Sequence, residues 1–168
     1  MELFPQSVGR VVIIFTSITA LLSLCPNLAR ASCGPIRNFL RPLTEYNLQG
    51  ILKIESASFK HPWSKDVFLS TLRERKAVGM VVELSRGKSA AFVIYERHDH
   101  VIHILDLAVK AEFRHRGIGE ALIDEVKYKL SQTEGIDQII VEISEKNGAA
   151  LALFSKKDFN SVSRSGKV

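Results

Sequence analysis

Cysteine is nearly absent from this chain: there are two, Cys25 and Cys33, and both fall within the first 35 residues. From residue 36 onward no thiol is available, which argues against cysteine catalysis or a stabilising disulfide in that part. A bridge between Cys25 and Cys33 requires that the segment be exported. Long hydrophobic runs are lacking too. The one extended apolar stretch, Val11 to Leu24, falls short of the roughly 20 residues that a spanning helix needs. Two widespread phosphate-binding fingerprints, G-x-G-x-x-G with a distant acid and G-x-x-x-x-G-K-[ST], are absent. No long basic run, aromatic platform or zinc spacing supports direct nucleic-acid recognition, although a net charge of +5 favours some anionic partner.

At 168 residues, with 46% hydrophobic and 24% charged residues, the composition is that of one globular domain with a real core. The boundary falls near residue 36. Residues 1–35 combine Arg10, the apolar run and an Ala29-Arg30-Ala31 triplet resembling a signal-peptidase site. Three readings stand: an extension that plays no part in the fold, a membrane-associating or targeting segment, and a signal peptide. Residues 36–168 carry the domain.

Within that domain, Ile36 to Pro42 predicts a first strand. Thr44 caps a helix through Leu48, Ile51 and Leu52, and Ser64 caps a second through Phe68, Leu69 and Leu72. The intervening Phe59-Lys-His-Pro-Trp63 loop suits either a packing staple or the wall of a groove. Strands at 78–84, 90–97 and 101–109, joined by short turns, predict an antiparallel meander. His98, His100 and His103 lack the partners and spacing of a metal set, so no metal is expected. A helix from Gly117 to about Gln132 joins strand 101–109 to strand 138–144. Such a crossover makes that pair parallel and the sheet mixed. A small-residue helix follows from Asn147.

The informative stretch is 101–119. A buried strand, Val101 to Val109, feeds a basic loop, Arg114-His-Arg116, and the helix start Gly117-Ile-Gly119. The first helical amides have no intrahelical acceptor, the helix dipole is positive there, and glycines admit an anion close to the backbone. The spot suits a phosphate or pyrophosphate.

The string Leu-Ala-Val109 followed by R-x-x-G-x-G resembles the acyl-CoA-binding motif of the GNAT superfamily of N-acetyltransferases. The stretch V-E-I-S-E-K-N-G-A-A-L-A-L-F-S-K-K-D-F, ending at Phe159, and the segments Ile54 to Phe59 and His61 to Ser64 extend that resemblance. Together they run from about Ile36 to Phe159 and resemble the bacterial ribosomal-protein alanine N-acetyltransferases. The resemblance implies an α/β fold of mixed α+β type, a mostly antiparallel sheet flanked by helices, truncated in its last strand. It also implies a cytoplasmic transferase, with acetyl-CoA as cosubstrate and a protein N-terminal amine as acceptor, such as that of a ribosomal protein. Membrane contact is not the expectation, and residues 11–24 are the one segment that could make it.

By the same resemblance, the loop from Arg114 through His115, Arg116, Gly117 and Ile118 to Gly119 holds the diphosphate. The backbone of Leu107, Ala108 and Val109 pairs with the pantetheine arm. Asn147 contacts that arm or caps its helix, or does both. Glu142 takes the place of the general base: interrupting an apolar run, it either faces a cleft where desolvation raises its proton affinity or is a strand-edge glutamate in water. Asp106 is the reserve base, and His103 serves if it points inward. Phe154 lies among the cofactor-contacting residues but replaces the family's tyrosine acid. Asp158 replaces a glycine at a helix end where positive φ is wanted, and Asn160 to Val168 is too short for the strand and loop that wall the family's acceptor site. These departures keep open an acyl-CoA-binding pseudoenzyme, and an acetyltransferase acting on a different amine.

Overall fold

The computed structural model of the chain describes residues 10–16 and 36–162. In order, these form β1 (Arg10–Thr16), a single 3-10 turn, β2 (Leu40–Pro42), α1 (Glu45–Ser58), α2 (Lys65–Arg73), β3 (Ala77–Ser85), β4 (Lys88–Arg97) and β5 (Val101–Val109). After a second 3-10 turn come α3 (Ile118–Ser131), β6 (Gln138–Ser144), α4 (Gly148–Lys156) and β7 (Asn160–Val162). The strand expected from Ile36 is thus shorter, because Arg37–Phe39 turn before β2 begins.

Local sequence explains the helix starts. The Thr44 amide donates to Asn47 Oδ1 at 2.8 Å, and Ser64 Oγ accepts from the Val67 amide, so each satisfies a group at a helix N-terminus. In β4 seven consecutive residues, Ser89 to Tyr95, are buried, as expected of a strand covered on both faces.

The seven described strands form one sheet in the order β2-β3-β4-β5-β6-β1-β7. Only β5 and β6 run parallel, joined through α3; every other neighbouring pair is antiparallel. Helices cover both faces. On one side Leu122, Ile123 and Val126 of α3, with Phe154 of α4, pack on Val93, Tyr95, Ile102 and Ile139. On the other, Ile51 and Ile54 of α1 and Phe68 of α2 pack on Val81, Phe92 and Ile94. Burying each such side chain stabilises the fold by about 1.5–3 kcal/mol.

The N-terminal segment departs from expectation. Arg10–Thr16 does not stand apart from the fold but is inserted between β6 and β7, with Val12 opposite Glu142 and Ile14 opposite both Ile140 and Asn160. Its β-branched composition suits a strand, and Ile13, 3% exposed, joins the α3-side core. The edge of β6 away from β5 is therefore covered by the N-terminal strand of the chain itself. Residues 17–24 and the two cysteines lie outside the described residues, and no described helix is long and apolar enough to cross a membrane.

Candidate active site

The site begins with an irregularity in β5. Asp106 pairs with Ile94 and Ile104 with Tyr95, so Leu105 is an extra residue in the β4–β5 ladder. Before the bulge Ile102 and Ile104 face α3. Beyond it Ala108 faces α1 while Leu107 and Val109 pack toward α3. The parallel ladder with β6 ends at the Ile104↔Val141 pair. From there the strands diverge, leaving one edge of the β5 main chain open and a cleft of about 300 Å³ between them. This is where ligands of open α/β sheets collect, beyond the carboxyl ends of parallel strands.

The cleft gathers His103, Asp106 and Leu107 from β5, Glu142 from β6, and Asn147 and Phe154 from α4 and its start. Asn147 Oδ1 accepts from the Ala150 amide at 3.1 Å, so it is the N-cap of α4 and lines the cleft as well. Phe154 is buried and presents its ring edge-on to Phe159 at 5.0 Å between centroids. The Phe59–Trp63 loop supplies a wall through Phe59, His61 and Trp63. The loop takes both uses open to it, lining the groove and packing Trp63 edge-on against Phe68 of α2.

Two expectations about acid–base groups are corrected. Glu142 is exposed, so it lacks the desolvation anticipated from its apolar neighbours in sequence. Asp106, the reserve base, is almost wholly buried, and burial, then the adjacent Glu55 carboxylate, push its pKa up to about 9. It is therefore protonated near neutral pH and unavailable as a base there. Burial pushes the His103 imidazole below its ordinary range, against an opposing pull from Glu142 and Glu96.

The glycine loop lies outside this cleft, past the end of β5. Gly117 has φ +76° and caps α3, and nothing lies within 4 Å of where a Cβ would be, leaving the helix head open to a ligand. At Gly119 a Cβ would stand 3.1 Å from Leu153 Cδ2 and 3.6 Å from Val109 Cγ2, so this glycine lets the head of α3 approach α4 and β5 closely. His115 also takes a left-handed φ, +58°. Arg114 donates through Nε to the Val109 carbonyl at 2.9 Å and through Nη2 to Ser58 Oγ at 3.2 Å, tying the loop to β5 and α1. Arg116 stays exposed over the Phe113 ring, Ile118 is buried, and Ala108 is buried on the α1 side away from the loop. Asp158 adopts the positive φ anticipated there, +63°.

Sequence reasoning gave Glu55 no role. Its carboxylate, 2% exposed, lines the cleft beside Asp106, and Oε1 accepts from the Trp63 amide at 2.8 Å. An acid among the apolar positions of α1 was the available signal.

The mixed sheet is thus split between its two parallel strands, with a glycine-opened helix head beside the split. Residues 48–159 match the Acetyltransferase (GNAT) family, and the chain belongs to it; the protein is an acyltransferase. Among curated proteins it is similar to the [ribosomal protein bS18]-alanine N-acetyltransferase of Escherichia coli K12. The two are 28% identical over 123 residues, which cover 73% of this chain and 81% of that protein. The crystal structure of the Escherichia coli ribosomal-protein-S18-alanine N-acetyltransferase superposes with a TM-score of 0.66 at 25% identity, covering 74% of this chain and 78% of that one. Arabidopsis thaliana NAA60 in complex with a bisubstrate analogue shares the fold, with a TM-score of 0.65, 20% identity and coverage of 74% and 84%.

Proposed function

We propose that the protein transfers the acetyl group of acetyl-CoA directly to a protein N-terminal α-amine, in the cytoplasm, with a ribosomal protein as the acceptor class. The observation that carries this reading is the cleft where β5 leaves β6, which sets an open main-chain edge and Glu142 between a glycine-opened helix head and an aromatic loop. These features fit the cosubstrate: the α3 head suits its diphosphate, and the unpaired β5 edge at Leu107–Val109 suits its amide-bearing arm. Acetyl-CoA supplies the activated acetyl group as a thioester: the amide C–N bond forms as the C–S bond breaks, and the departing thiolate takes its proton from water.

The chain's residues divide the remaining work. Glu142, exposed in the cleft, takes the proton that an attacking ammonium must lose. Main-chain donors of β5 polarise the carbonyl under attack. Asn147 holds the α4 start against the cosubstrate arm, and Phe154 packs beside it. The similarity of the chain to alanine N-acetyltransferases favours an N-terminal amine over other amines.

Incubating the protein with acetyl-CoA and alanine-starting peptides should give N-acetylated product by mass spectrometry. Absence of product from all peptides, with acetyl-CoA bound by calorimetry, would favour the second reading, an acyl-CoA-binding module without turnover. That alternative draws on Phe154, which has no proton to give to a leaving thiolate.

A further inference from the structure

Two carboxyl groups meet in the cleft, and among the described residues no cation pairs with either. Glu55, from the last turns of α1, is 2% exposed, and Asp106, just past the β5 bulge, is 8% exposed. Each has one oxygen occupied from elsewhere: Glu55 Oε1 by the Trp63 amide, and the Asp106 carboxyl by the Leu107 amide. Each also has one oxygen, Glu55 Oε2 and Asp106 Oδ2, that is buried without any partner able to donate to it. As two carboxylates they would be bare acceptors side by side in a low-dielectric pocket, which disfavours ionising both. One proton between them turns the clash into a hydrogen bond.

We propose that Glu55 and Asp106 act as a carboxyl pair holding a single proton, Asp106 donating to Glu55, and that through the Trp63 amide this pair positions the Phe59–Trp63 loop as the acceptor-side wall of the cleft. Glu55 is thus a positioning residue: its Oε1 grips the loop while Oε2 is held by its neighbour. That bond joins the last turn of α1 to the loop eight residues further along the chain.

The surroundings leave this proton to the pair alone. From β4 the residue opposite Asp106 is Ile94, and from α2 the ring packed against Trp63 is that of Phe68, both apolar. The other titratable groups lining the cleft are His61, His103 and Glu142. His103 interacts electrostatically with Glu142, Glu96 and His98 rather than with the pair. Arg114 hydrogen-bonds to α1 at Ser58, the last residue of the helix. Losing the shared proton makes both carboxyls anionic, drives them apart, and pulls the Trp63 end of the loop with Glu55.

Trp63 is the single tryptophan of the chain, so its emission reports the loop without presuming turnover. In the full-length protein, emission should be steady near neutral pH and change in a one-proton transition around pH 9. Asp106→Asn, whose amide donates to Glu55 without titrating, should keep the neutral-pH spectrum and abolish the transition. Glu55→Gln, used as a second variant should the first fail to fold, should likewise abolish it and shift the neutral-pH emission. The catalytic consequence rests on the proposed function: the KM for the acceptor peptide should rise about fivefold or more across the transition while the KM for acetyl-CoA stays within about twofold. Wild-type emission that is flat through this range, or a transition surviving in Asp106→Asn, overturns the pair. The transition seen in a protein that acetylates nothing keeps the pair and overturns the proposed function.

Discussion

Gly119 at the head of α3 lies so close to Leu153 of α4 that a methyl group on it would stand 3.1 Å from Leu153 Cδ2. The two residues set how tightly the helix that opens the anion site leans on the helix that lines the cleft. Because Leu153 is a flexible apolar side chain, Gly119→Ala should cost only about 1 kcal/mol, whereas Gly119→Val should cost about 1–3 kcal/mol and weaken acetyl-CoA binding about tenfold. Gly117→Ala meets no neighbour but must hold φ +76°, so it should lose about 1–2 kcal/mol from backbone strain. Thermal unfolding and calorimetry with acetyl-CoA check all three.

Glu142→Gln should lower kcat by about two to four powers of ten, with the KM for acetyl-CoA nearly unchanged, since the residue is proposed to act on the amine. Steady-state kinetics at a fixed saturating peptide concentration measure this. A wild-type rate in the variant would remove Glu142 from the reaction.

Phe154→Tyr places an O–H in the wall of the cleft while keeping the ring edge-on to Phe159. If thiolate protonation limits turnover, kcat should rise about tenfold with little change in either KM. An unchanged kcat would put the slow step elsewhere.

Asp106 also makes stability depend on pH. Its carboxyl ordinarily titrates near 3.8 and is pushed up to about 9 in the fold. Between those values the folded chain retains a proton that the unfolded chain has released, so this group's contribution is fully present below the lower value and is lost as pH climbs toward the upper one. Asp106→Asn cannot titrate. Its Tm should therefore gain on that of the wild type between about pH 5 and pH 8, and parallel curves in scanning calorimetry would contradict a protonated Asp106.

Ile13, in the strand between β6 and β7, is 3% exposed and packs into the α3-side core. Ile13→Ala should cost about 2–5 kcal/mol in urea unfolding. A segment outside the fold would lose less than about 0.5 kcal/mol.

Most elements from α1 to β6 were legible because each carries a local signal: caps at Thr44 and Ser64, an unbroken apolar run in β4, and helical spacing through Leu122, Ile123 and Val126. The glycine loop was legible for the same reason, since φ and approach distance are properties of a few neighbouring residues. The bulge at Leu105 was not. Strict alternation would put Asp106 on the face of Ile104, and the extra residue that moves it toward Glu55 has no residue-type signature. Glu142 shows a related limit: an acid in an apolar strand is buried or exposed according to whether its neighbour diverges, and here β5 does. In β1, pairing with a distant strand and service as a leader segment call for the same apolar, β-branched composition.

Placing β1 between β6 and β7 has a further effect on how the protein comes into being. The strand precedes every other described element, yet its partners are among the last to leave the ribosome, so Val11-Val-Ile-Ile-Phe15 spends most of synthesis without a mate. A bare sequence of that kind is prone to adhere to other strands. Nascent chains of this acyltransferase should thus lean on chaperones until β6 emerges, and productive folding should be more sensitive to expression rate than the size of the domain suggests.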